Sequence, residues 1–184
     1  MKLSNIRGHF DTITRHRHMV IYHCARAGIL LQGLGHDLSK YTPEEFFPGV
    51  MNYQGTRSPN EQERITRGYS QAWLHHKGRN KHHFEYWTDY DPVTKLMSGV
   101  KMPRKYLIEM FCDRVAASKI YNKKDYTDSK PLEYFMKAKN RRATIINPET
   151  SDEIEFLLRM LEEKGEKETF KYIRSIRRKK NVQG

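Results

Sequence analysis

Near the N-terminus, apolar residues recur at Ile6, Phe10, Ile13, Val20, Cys24, Ala27 and Leu31, in steps of three, four or seven. Positions so spaced share one face of a helix, so the opening stretch is expected to be long and helical. Thr42-Pro43-Glu44-Glu45 then reads as an N-cap, a proline at the first helical position and the glutamate of a capping box, ahead of Phe46, Phe47 and Val50. Ser58-Pro59-Asn60-Glu61 repeats the signal for a helix running through Ile65, Tyr69, Ala72, Trp73 and His76 to a stop at Gly78. His82 to Trp87 is expected to add a short helix, ended by Asp89-Tyr90-Asp91-Pro92. Pro103 opens a helix with Tyr106, Met110, Asp113, Ala117 and Ile120 along one stripe. Asn147-Pro148-Glu149-Thr150 caps another, carrying Ile154, Leu157, Leu158 and Leu161, and Gly165 separates it from a basic terminal helix with Phe170, Ile173 and Ile176. No stretch alternates as a strand would, and nothing repeats in tandem. The expected fold is an all-α single-domain helical bundle, with a helical domain over 1–165 and a basic helix and tail over 166–184.

A chain of 184 residues can bury a core without staples. Charged residues at 30% against 37% apolar imply amphipathic elements rather than helices buried all round. The formal charge of +12 concentrates anions near the surface, so phosphorylated small molecules, nucleotides and nucleic acid are the natural partners. Basic residues gather at Lys77–Lys81, Lys101–Lys105 and Arg141-Arg142, and Arg174, Arg177, Arg178, Lys179 and Lys180 suit a solvated helix end as well. Cys24 and Cys112 fall among apolar helical positions, as buried packing residues in a reducing compartment would. The opening residues lack the apolar core of a signal peptide, and no stretch has the length of a membrane span. A cytoplasmic protein without a membrane partner is expected.

The chemistry gathers at Gly35-His36-Asp37-Leu38-Ser39-Lys40-Tyr41. Adjacent histidine and aspartate can grip one divalent cation through an imidazole nitrogen and a carboxylate oxygen. His16, three after Ile13 and four before Val20, lies on the apolar face; His18 points toward solvent, and His9 and His23 share the His16 column one heptad away on either side. Asp113 is a carboxylate on an inward stripe, where it must meet a cation, donors or a metal. Around Gly78, His75, His76, His82 and His83 are interleaved with Lys77, Arg79 and Lys81, which offers imidazoles to a metal and cations to an anion in one place. Tyr41, Tyr69, Trp73 and Trp87 are core aromatics or platforms for a base.

The order histidine, His-Asp, distant aspartate resembles the HD-domain superfamily of metal-dependent phosphohydrolases. The resemblance implies an HD-like helical bundle in which His16, His36, Asp37 and Asp113 bind a divalent Mn, Fe, Co or Zn ion, one or two per chain. His18 and His23 stand as alternatives to His16, because the spacing from His16 to His36 is short for the superfamily. It also implies catalytic roles for Asp37 and Lys40, with Lys40, Lys77 and Arg79 binding the phosphate of a nucleotide or similar ester. His76 would be a ligand of a second ion, or else His75 or His76 would protonate the leaving oxygen. Some HD-type enzymes are di-iron oxygenases, which is the rival chemistry; a nucleic-acid-binding module is the rival class. A closer likeness, carried by HDLSKY and AWLHHKGRNKHH, is to a family of small bacterial and phage proteins and specifies no substrate.

Overall fold

The computed structural model describes residues 2–140 and 145–180, without the side chains of 140 and 178–180. Arg141 and Arg142, and the tail from 181, lie outside the described residues. Among the described residues there are eight α-helices, in the order α1 (Leu3–Ala27), α2 (Leu30–Leu34), α3 (Pro43–Met51), α4 (Pro59–Arg67), α5 (Gln71–Lys77), α6 (Arg104–Asn122), α7 (Lys130–Asn140) and α8 (Pro148–Lys180). The fold is all-α and single-domain. No helix among the described residues is long and apolar enough to cross a membrane.

The core forms where α1 and α6 pack together. Val20, Cys24 and Ala27 of α1 meet Leu107, Phe111, Cys112 and Val115 of α6, and Leu132 and Phe135 of α7 join Leu157, Leu158 and Leu161 of α8 around them. Helix α8 breaks at Gly165, where φ is 72°, and beyond the break Phe170 and Ile173 are buried in the same cluster. The apolar stripe thus occupies the C-terminal half of α1. Its N-terminal half buries His9, Ile13 and His16 instead, and this end carries the chemistry.

The structure corrects four local expectations. Helix α1 stops at Ala27, so Leu31 belongs to α2 and is 85% exposed, and Phe10 is also half exposed. The helix expected through 59–77 is two, interrupted after Arg67, with Ser70 accepting from the Trp73 amide to cap the second. Glu45 closes no capping box: its carboxylate is buried and turned to His75 and His76. The stretch after His82 forms only a 3-10 turn at Phe84–Tyr86, followed by an antiparallel hairpin of β1 (Thr88–Tyr90) and β2 (Met97–Gly99). Strands of three residues are too short to show alternation.

Candidate metal centre

Residues from four parts of the fold converge between α1, α3, α5 and α6. His16 comes from α1, and His36 and Asp37 from the turn after α2. That turn is held close to α1 because residue 33 is glycine: a Cβ there would lie 2.5 Å from the Cβ of Cys24. Arg17 of α1 ties the turn down by donating from Nε to the His36 carbonyl at 3.2 Å. Asp37 adopts a left-handed backbone, with φ of 53°, which aspartate tolerates better than most residues. The twist turns the His36 and Asp37 side chains to one point.

Asp37 is 2% exposed and presents its two oxygens to two groups of histidines. On one side Oδ2 lies 3.2 Å from His36 Nε2 and 3.7 Å from His16 Nε2. Asp113 closes this group, with Oδ1 at 3.0 Å from His16 Nε2 and 3.8 Å from His36 Nε2. On the other side Oδ1 lies 3.3 Å from Nε2 of both His76 and His82. His83 completes that group, its Nε2 2.9 Å from the Nε2 of His76. His16, His36 and Asp113 thus form one set able to hold a metal ion, and Asp37, His76, His82 and His83 another.

Outer carboxylates fix the rings. His36 Nδ1 donates to Glu109 at 2.9 Å, His82 Nδ1 lies 3.2 Å from the same oxygen, and His76 Nδ1 donates to Glu45 at 2.7 Å. Each contact sits on the ring edge away from Asp37, which is how proteins fix the tautomer and aim of a ligating imidazole. His36, His82 and Glu109 also lie close enough together to bind an ion, but their close nitrogens are the Nδ1 atoms already engaged by the carboxylate. Glu109 is therefore an orienting group.

The inner atoms are the ones left over. His16 Nε2, His36 Nε2, His82 Nε2 and both Asp37 oxygens are buried and lack a well-formed hydrogen bond among the described residues, although they face one another and the Lys40 ammonium stands beside Asp37 Oδ2. Orphaned buried atoms are costly, and so many converging acceptors call for a cation at their centre. The donor set of imidazoles and carboxylates suits a divalent transition metal.

The same groups shift one another's protonation. Despite burial, the neighbouring His36, Lys40 and His76 hold the Asp37 carboxyl well below its ordinary range, and His16 does the same for Asp113. Burial keeps His16 and His83 low and neutral, helped by Lys40 in the first case and by His82 and His76 in the second. Burial also opposes charge on His36, His76 and His82, but the carboxylates outweigh it and raise all three, His82 to about 10. Glu109 falls to about 2 against its burial, through its bonds to His36 and His82. In the metal-free protein, protons and the Lys40 ammonium, 2.5 Å from Asp37 Oδ2, balance the carboxylates.

A family model described as a family of unknown function, DUF5662, matches residues 5–160. The chain belongs to DUF5662. No curated protein and no solved structure matches it. The matched span includes every residue of the centre, so the DUF5662 region and the centre are the same part of the fold.

Of the residues singled out from the sequence of this DUF5662 member, His16, His36, Asp37, Lys40, His76 and Asp113 come together. His18 is exposed, and His23 is buried elsewhere, stacked on Phe170 at 5.4 Å, so neither replaces His16. His75 stands behind the centre, donating to Glu45 at 2.7 Å. Arg79 is exposed and turned back on the His75 carbonyl, and Lys77 is partly exposed at the end of α5. Among the described residues neither basic side chain forms an ion pair with the metal-binding sets. Of the aromatics, Trp73 packs edge-on to His83 at 4.8 Å, Trp87 donates to the Lys81 carbonyl and packs on Tyr106, Tyr41 bonds to Thr14, and Tyr69 is half exposed. Sequence reasoning missed Glu109 and Glu45. The first had a signal, since it lies one helical turn before Asp113 on α6 and so shares its face.

Proposed function

We propose that the protein is a phosphohydrolase whose two sets of histidines and carboxylates, meeting at Asp37, would hold two divalent metal ions for cleavage of a phosphate ester. The observation that carries this reading is the position of Asp37, with Oδ2 directed to the His16–His36–Asp113 set and Oδ1 to the His76–His82–His83 set. His16, His36, Asp37 and Asp113 would hold one ion, and Asp37, His76, His82 and His83 the other. Bound ions of this kind lower the pKa of water and polarise a phosphoryl oxygen. Lys40 supplies a positive charge beside the pair, and its partial exposure lets it reach an arriving anion as well as Asp37. Glu45 and Glu109 keep the imidazoles aimed, and His75 keeps Glu45 in place. His76 serves as a ligand in this scheme and donates no proton. The HD-like resemblance and the basic surface support the same chemistry.

The test is turnover of a panel of phosphate esters by metal-loaded protein, compared with Asp37→Ala. Metal-dependent hydrolysis lost in the variant supports the reading; no hydrolysis by fully loaded protein contradicts it. A nitrogen-rich set built from five histidines also suits iron, and this favours a second reading as a di-iron oxygenase. Oxygen consumption and visible absorption by the iron-loaded protein would favour it, whereas ester turnover under argon would exclude it.

A further inference from the structure

A recess of about 70 Å³ opens beside the centre and shares Lys40 and His76 with it. Its far wall is the start of α4, where Ser58 and Asn60 line it, and Tyr121 of α6 lies against Ser58. The Ser58 side chain makes no capping bond to α4, and because residue 59 is proline and the Glu61 amide bonds to the Ser58 carbonyl, the Asn60 amide is the donor left at the positive end of the helix. His9 of α1 also lines it, 6% exposed, with Nδ1 making no hydrogen bond among the described residues. The ring is seated there because residue 49 is glycine, whose hydrogen leaves the place that His9 Nε2 needs. Among the described residues Glu45 is the one carboxylate on the wall, and its two oxygens are taken by His75 and His76.

The lining therefore presents an ammonium, the Asn60 end of α4 and the Ser58 and Tyr121 hydroxyls to a small space, with the His9 ring in its wall. A water needs roughly 10–15 Å³ of such space, so the recess takes about five atoms of that size. Sites for drug-sized ligands run to about 300–1,000 Å³, which leaves no room for a nucleoside. We infer that this recess seats the terminal phosphoryl group of the substrate, a tetrahedral oxyanion held by Lys40, the Asn60 amide and the Ser58 hydroxyl, with the rest of the ester outside. The inference rests on the phosphohydrolase reading and adds to it the part of the substrate that the protein grips.

The test is the binding of inorganic phosphate and of phenyl phosphate to metal-loaded protein by calorimetry, with metal content measured alongside. Ser58→Asp keeps a good N-cap but puts a negative charge on the recess wall. It should weaken both probes by about tenfold, and the uncharged Ser58→Asn should lose less. Asn60→Asp repeats the test if Ser58→Asp fails to fold. Unchanged affinity in a fully metal-loaded Asp variant would overturn the inference, and so would weakening of inorganic phosphate alone, because the ester would then bind elsewhere. The readout needs no turnover. Phosphate held in the recess without ester hydrolysis would count against the hydrolase reading alone, whereas hydrolysis with phosphate binding indifferent to the charge would count against the recess alone.

Discussion

Glu45 accepts a hydrogen bond from Nδ1 of His76 at 2.7 Å, on the ring edge opposite the nitrogen that faces Asp37. A carboxylate so placed fixes the tautomer and makes the far nitrogen a better donor to a metal. Glu45→Gln keeps the size and loses the charge, and should weaken metal binding by about 10- to 100-fold, the usual scale for such partners. Competition against a chelator measures it; unchanged affinity would mean that the contact only packs.

The two sets of ligands should separate by mutation. His16→Ala removes a ligand from one set only, and His82→Ala from the other. Each variant should keep about half of the wild-type metal, as expected of a two-metal site. Elemental analysis of both variants decides this. Complete loss in either would indicate a single cooperative ion.

Metal binding should release protons. His36, His76 and His82 are raised, His82 to about 10, so they hold protons more tightly than free imidazoles when no metal is present, and an incoming ion must displace those bound. Affinity should therefore rise with pH, by roughly tenfold per pH unit for each proton displaced. Titrations from about pH 6 to about pH 8 measure the slope; a flat profile would contradict the assignment.

His23 sets an acid limit on the fold. Burial first, then the Lys119 charge, lower it from 6.5 to about 4, while it stacks on Phe170. The native state then binds fewer protons than the unfolded chain between these values. Stability is unaffected above pH 6.5 and falls as the pH drops from 6.5 toward about 4, by at most roughly 3 kcal/mol. Urea unfolding of metal-free protein at the two ends of this window should show a smaller loss for His23→Phe than for the wild type.

Gly49→Ala should destabilise the protein. A Cβ there would stand 2.3 Å from His9 Nε2, and the buried ring has little room to yield. Overpacking costs about 1–3 kcal/mol, more than the gain of at most about 1 kcal/mol that alanine brings to a helix. A lowered unfolding midpoint is expected; a raised one would show that the ring moves freely.

The helices were legible because most obey a single period, and His16 and Asp113 could be placed because each sits in a run of that period. His36 and Asp37 were marked by adjacency alone. The second half of the centre was harder to read. His82 and His83 lie in irregular chain after Gly78, where no period says which side chain turns inward. Glu45 obeys the capping-box pattern so well that its burial against His75 and His76 was hidden. Lys77 and Arg79 are close to the ligands in sequence, but α5 buries His76 and leaves Lys77 on another face, while Arg79, beyond the helix end, turns back on the His75 carbonyl.

The most direct test of the account is metal content, by elemental analysis of protein purified without a histidine tag, for the wild type and Asp37→Ala. The account predicts about two divalent ions per chain in the wild type and close to none in the variant, because one carboxylate serves both sets. Wild-type protein that takes up neither manganese, iron, cobalt nor zinc, or a variant that retains the full complement, would contradict it.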